Sequence, residues 1–179
     1  YIAAARADTS YMLPLVRLES VLQNIGDGVR SDSVRKVLRA RQRLLTPYEA
    51  AYLRVLDCGD EAYGDDCVEG TTTMLRIAPK SQFTAYLHGI ALRDANRPGA
   101  ADSVFSTLDP QGGELRGRSY FYAQRAMALH SLGRYQEAGE TYDQMLALAP
   151  TAENYFLLAQ FYEDTQQTTK ARTHARKAI

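Results

Sequence analysis

The stretch YFYAQRAMALHSLGRYQEAGETYDQMLALAP, from Tyr120 to Pro150, decides the fold. Its apolar and small residues fall in two runs: Tyr122, Ala126 and Leu129 before Gly133, then Tyr135, Ala138, Tyr142, Met145 and Leu146 before Pro150. Spacings of three and four residues place each run on one face of a helix, and Gly133 and Pro150 punctuate the two helices. Isolated helices shorter than about 12–15 residues are marginal in water, so one such hairpin cannot bury its apolar faces alone. It needs copies of itself on either side.

The copies are present. With Ser119 as the first position, the next unit begins at Ala152 and carries Tyr155, Leu158, Ala159, Tyr162, Ala171, Ala175 and Ala178 in corresponding places. Upstream, Gly89, Leu92, Ala101, Phe105 and Leu108 set a unit start at Gln82. A start at Tyr48 puts Val55, Cys58, Cys67, Met74, Leu75 and Pro79 in the same slots, and a start at Pro14 puts Val21, Val37, Ala40 and Leu45 there. Units are thus expected at 14–47, 48–81, 82–118, 119–151 and 152–179, the last incomplete, with residues 1–13 as the tail of a preceding helix. The longer third interval contains Pro110-Gln111-Gly112-Gly113-Glu114, which reads as a loop between units. Thr46-Pro47-Tyr48-Glu49 reads as a capping box with proline at the first helical position. No alternating β-branched stretch appears, so the chain is read as all-α.

The offsets of Tyr122, Ala126, Gly133, Tyr135, Ala138, Tyr142 and Pro150 resemble those of the tetratricopeptide repeat. The resemblance implies an α-solenoid of antiparallel helix pairs wound as a right-handed superhelix, part of a longer array, with the first helix of each pair lining the concave side. Carried over position by position, it points to Glu49, Tyr52, Leu56 and Asp60; Phe83, Tyr86, Ile90 and Arg93; Tyr120, Ala123, Met127 and His130; and Glu153, Phe156, Gln160 and Glu163. Of these, Tyr52, Phe83, Tyr86, Arg93, Tyr120, Met127, His130, Phe156, Gln160 and Glu163 are the expected partner-binding set. Two readings of the aromatics Tyr52, Phe83, Tyr120 and Phe156 stand side by side, groove lining and inter-repeat core. Arg93 and Gln160 are the residues a core would refuse.

Cys58 and Cys67 are the two cysteines of the chain. In the repeat register one lies late on a first helix and the other early on a second, facing each other, an arrangement that permits a disulfide and with it an oxidising compartment such as a periplasm. Two free buried thiols are the alternative, and zinc lacks a second ligand pair. The carboxylates Asp57, Asp60, Glu61, Asp65, Asp66 and Glu69 in the same hairpin lack the spacing of a calcium loop and read as a solvated edge. Just upstream, Arg30, Arg35, Lys36, Arg39, Arg41 and Arg43 form a basic cluster in which Arg35, Arg39 and Arg43 share a helical face. It either receives an anionic polymer or pairs with the acidic hairpin.

Lys and Arg total 21, as do Asp and Glu, so the formal charge is zero, which argues against nucleic-acid binding through global charge. No apolar run approaches the roughly 18 residues of a transmembrane helix. His88, His130 and His174 occupy unrelated repeat slots, and no phosphate loop, nucleophile elbow or metal pair is present. The expectation is a protein without cofactor or metal that holds a partner protein or peptide on its concave face. One reading places it in a bacterial envelope secretion or exopolysaccharide export assembly in the periplasm. A second makes it a cytoplasmic adaptor or chaperone, and a third an anionic polysaccharide or nucleic-acid binder through the Arg30 to Arg43 cluster.

Overall fold

The local rules of helix capping account for most of the element boundaries. At Thr46, the backbone N–H and hydroxyl donate to the Glu49 carboxylate at 2.8 and 2.9 Å, and the Glu49 N–H donates back to the Thr46 hydroxyl at 3.3 Å. That is the capping box expected from the sequence, and Pro47 opens the helix it caps. Asp27, Ser81 and Thr151 serve as simpler N-caps, each side chain accepting from the N–H three residues on. Replacing Thr46 by alanine is expected to cost about 1 kcal/mol, because the Glu49 N–H loses its cap and the buried Glu49 carboxylate loses one of its two donors, keeping only the backbone N–H. Urea denaturation of the variant checks this; an unchanged midpoint would show that the box contributes nothing.

The computed structural model describes Ala3, residues 11–61 and residues 64–179. The helix tail expected at residues 1–10 and the side chains of Asp60 and Glu61 lie outside the described residues. The described residues form ten α-helices in five successive pairs and contain no strand. They divide into two units, residues 1–80 and 81–179.

The first unit holds α1 (Leu13–Asn24), α2 (Gly28–Ala40), α3 (Pro47–Glu61) and α4 (Asp65–Ile77). Met12, Val16, Leu22, Leu38, Tyr52, Leu56 and Met74 form its apolar core. α3 and α4 approach closely at Gly70, where a Cβ would lie 2.9 Å from Val55 Cγ2.

The second unit holds α5 (Gln82–Asp94), α6 (Pro98–Ser106), α7 (Ser119–Ser131), α8 (Tyr135–Leu148), α9 (Ala152–Asp164) and α10 (Thr168–Ala175). Its small residues Ala101, Ala126, Ala138 and Ala159 are buried. The aromatics join consecutive pairs: Phe105 meets Phe121 edge-on at 6.0 Å, and Tyr142 meets Phe161 at 5.2 Å. The loop between α6 and α7 is itself packed. Leu115 is fully buried, and the Glu114 carboxylate accepts from the Ser81 hydroxyl and the Phe83 N–H, both at 2.9 Å, closing the N-terminus of α5.

One turn geometry recurs. The residue two positions past the end of a first helix adopts a left-handed conformation at Gly26 (φ 72°), Asn96 (56°), Gly133 (73°) and Gln166 (60°). The next residue's N–H donates back to the carbonyl of Leu22, Leu92, Leu129 and Tyr162 respectively. This geometry makes Leu22 the counterpart of Leu129, so the first pair starts two residues earlier than the sequence reading from Pro14. The burial agrees: Val21 and Val37, assigned to core slots, are 42% and 39% exposed. The slots of Ala126, Ala138 and Tyr142 are instead occupied in the first pair by Glu19, Ser31 and Arg35, all buried. Apolar periodicity misplaced the register because three of the core positions are polar.

Candidate functional site

The faces of the first helices do not behave alike. Tyr52 and Tyr86 are only 1% and 6% exposed, so both belong to the core and neither lines a groove. Tyr52 lies under the Arg17 guanidinium, 5.4 Å from its ring centre, and edge-on to Tyr48. Tyr86 packs between Phe105 and Tyr120 at 6.2 and 5.1 Å. Burial raises both phenols above their ordinary range. Within residues 81–179, α5, α7 and α9 lie side by side, with Phe83, Ile90, Tyr120, Met127 and His130 half-buried along them. Glu153, Phe156, Gln160 and Glu163 are exposed on α9.

Arg93, expected to be free for a ligand, is a tie between helices. Its Nε and Nη2 donate to Asp94, the first at 2.8 Å, and its Nη1 reaches both the Gln124 amide oxygen and the Met127 sulfur on α7. Only 19% of the side chain is exposed. Gln160, the other residue thought unsuited to a core, is exposed as expected.

Of the two readings of the basic cluster, pairing with the acidic hairpin is the one found at Arg35 and Arg39, both of which meet Asp57. Arg35 is buried and forms an ion pair at 2.5 Å with Glu19, which is 0% exposed and also accepts from the Ser31 hydroxyl at 3.1 Å. Arg35 Nε lies 3.7 Å from Asp57 on α3, and Arg39 donates to the same carboxylate at 2.8 Å. Of the expected surface patch Arg35, Arg39 and Arg43, the first is interior and the second is paired. Arg35 sits where Tyr142 sits in the fourth pair, so its contact with Asp57 is the ionic counterpart of the Tyr142–Phe161 contact. The sequence did carry the pair as Glu19 and Arg35, but only the turn register shows that they meet.

Cys58 and Cys67 are joined as a disulfide with a Cα–Cα distance of 5.8 Å, linking the end of α3 to the start of α4. The double variant Cys58→Ser/Cys67→Ser is expected to lose about 2–3 kcal/mol of stability in the first unit. Alkylation of the native protein without reductant should label neither residue; two labelled thiols would refute the bridge.

The histidines lie apart in the fold. His130 packs against a tilted Tyr135 ring at 5.6 Å and edge-on to Phe161 at 5.3 Å. His174 lies against Tyr155 and Tyr162 at 6.0 and 5.4 Å, with its Nδ1 buried and unpartnered. Burial, then the cation of Lys177, lowers the His174 pKa, with Lys170 adding to the effect and Asp143 opposing it. Burial lowers that of His88 as well. A histidine that binds its proton less readily when folded favours the native state above the unfolded pKa of about 6.5, and that advantage is lost on acidification. Thermal unfolding of the native chain should therefore shift down between pH 7.5 and pH 5, and His174→Gln should shrink the shift. Equal shifts in both proteins would exonerate His174.

Among the described residues, no group of three or more His, Cys, Asp or Glu side chains could hold a metal ion, and no helix is long and apolar enough to cross a membrane. The tetratricopeptide repeat family model matches residues 119–151 and 152–179. No curated protein matches the chain. Among solved structures, MamA AMB-1 superposes with a TM-score of 0.63 at 16% identity, over 92% of this chain and 95% of that one. A MamA RS-1 double mutant gives 0.63 at 15% identity over 94% of each chain. YrrB, described as a TPR protein with an unusual peptide-binding site, gives 0.58 at 18% identity over 99% of this chain and 90% of that one. Residues 119–179 match the tetratricopeptide-repeat family in sequence, and the chain has the all-helical fold of the tetratricopeptide-repeat solenoids to which it is similar.

Proposed function

We propose that the chain is a non-catalytic scaffold that holds a partner protein or peptide against the face built by α5, α7 and α9. The observation that carries this reading is that Phe83, Ile90, Tyr120 and Met127 stay half-buried, not closed over, along the adjacent helices α5 and α7, with Phe156 exposed beside them on α9. Exposed aromatics offer contact area at a low cost in rotamer entropy, which suits recognition. The peptide-binding description of YrrB supports the same use of the fold. The array in this reading comprises units at about 14–47, starting two residues earlier by its turn, then 48–81, 82–118, 119–151 and 152–179. The Cys58–Cys67 bridge favours an oxidising compartment, as in a periplasmic envelope assembly, over a cytoplasmic adaptor. Binding of an anionic polymer through Arg35 and Arg39 loses its support, since both are engaged within the fold.

A panel of fluorescent peptides of varied composition, titrated against the native chain and against Tyr120→Ala/Phe156→Ala, tests the reading. Roughly tenfold weaker binding by a variant that keeps the native helical content is the expected result, in line with the loss of a buried aromatic contact. Binding unaffected by both changes would overturn it.

A further inference from the structure

Among the described residues, the hairpin of the second pair lacks the local devices that close the others. In the first, third, fourth and fifth pairs a left-handed residue turns the chain, at Gly26, Asn96, Gly133 and Gln166. No described residue does so ahead of α4, and Gly64 gives that helix no side-chain cap. The end of α3 is no better served, since it has no basic residue in its last turn and contains Gly59. What joins the two helix ends is the Cys58–Cys67 bridge.

The bridge also sits beside the tie between the first two pairs. Asp57, the residue before Cys58, accepts from Arg39 at 2.8 Å and lies 3.7 Å from Arg35. Arg35 in turn is committed to a core that contains Glu19, whose Oε2 has no hydrogen-bond partner. The two sulfurs are unequally placed: Cys58 is half-buried, whereas Cys67 is 4% exposed. We propose that the bridge is a redox latch on the first unit, opened by a dithiol that attacks Cys58. One thiolate of the dithiol forms a mixed disulfide with the Cys58 sulfur, and Cys67 leaves as a thiolate that takes a proton from water. The second thiolate of the reductant then displaces the Cys58 sulfur, which is protonated in its turn. The dithiol ends as a cyclic disulfide, and its two electrons reside on the two cysteines. The joined ends of α3 and α4 loosen, and the contact of Asp57 with α2 loosens with them. Residues 81–179 contain no cysteine and keep their structure.

Hydrogen exchange on the full chain, with and without dithiothreitol at pH 7.5, tests the latch. In the reduced protein, amides in the second half of α3 and the first half of α4 should exchange about 30- to 150-fold faster, which corresponds to roughly 2–3 kcal/mol for such a bridge at about 1.4 kcal/mol per tenfold. Amides of α2 should also speed up, and Asp57→Asn should reproduce that effect on α2 in the oxidised protein. Amides of α7 and α8 should keep their rates, and reoxidation should restore the native pattern. Brief exposure to glutathione, quenched with acid, should place the adduct on Cys58. Unchanged exchange in α3 and α4 after complete reduction would overturn the latch, as would a bridge that dithiothreitol cannot reduce without denaturant. A rise of equal size in α7 and α8 would overturn its confinement to the first unit, and an adduct on Cys67 would overturn the direction of attack.

Discussion

Replacing Arg35 by alanine is expected to destabilise the first unit by about 3–5 kcal/mol, a large fraction of the stability of a domain this size. The reason is the burial of its partner. Glu19 is 0% exposed, accepts both the Nε and a terminal nitrogen of Arg35, and has one oxygen, Oε2, with no hydrogen-bond partner. Without Arg35, an interior carboxylate is left with the Ser31 hydroxyl alone. Glu19→Ala should cost a similar amount by removing the carboxylate that meets the buried guanidinium at 2.5 Å. The pair itself is worth much less than either deletion, because desolvating two charges offsets most of their attraction. The double variant Glu19→Met/Arg35→Met should accordingly recover most of the native stability. Urea denaturation with hydrogen exchange on α1 and α2 separates the cases, and single losses below about 1 kcal/mol would mean that the pair is solvated.

A comparable loss, about 3–5 kcal/mol, is expected for Phe105→Ala in the second unit. Phe105 is fully buried against Tyr86 and Phe121, and its ring fills the space left by Gly89, where a Cβ would come within 2.5 Å of Phe105 Cε1. The ring cannot swing away, since Phe121 and Tyr86 hold it. Gly89→Ala should therefore cost about 1–3 kcal/mol through overpacking. The two sites touch, so their effects should couple: Gly89→Ala in a Phe105→Leu background should be nearly neutral. Strict additivity in that cycle, measured by denaturation, would show that the residues do not share the space.

The helix pairs were legible because their signals are local. Gly133 ends one helix in the left-handed turn it alone adopts without cost, Thr46 and Glu49 cap another, and the spacing of Ala126, Ala138, Tyr142 and Phe105 repeats what packing demands. The first pair was misread by two residues because Glu19, Ser31 and Arg35 occupy slots that a periodicity of apolar residues cannot detect. The candidate face was legible in part. Phe156, Gln160 and Glu163 are exposed, whereas Tyr52 and Tyr86 are core and Arg93 is an interhelical tie.

What the sequence by itself determined is the hairpin, its repetition and the places where chains of this kind must turn, since helix periodicity, caps and left-handed residues are encoded within a few positions of one another. What only the tertiary structure decided is which side chains remain available. Tyr86 and Phe156 occupy the same slot of two units, yet one is buried and the other exposed, because Tyr86 has Tyr120 packed against it. Likewise Arg35 reads as surface charge until Glu19 and Asp57 are brought to it. Burial depends on neighbours distant in sequence, and no local pattern supplies them.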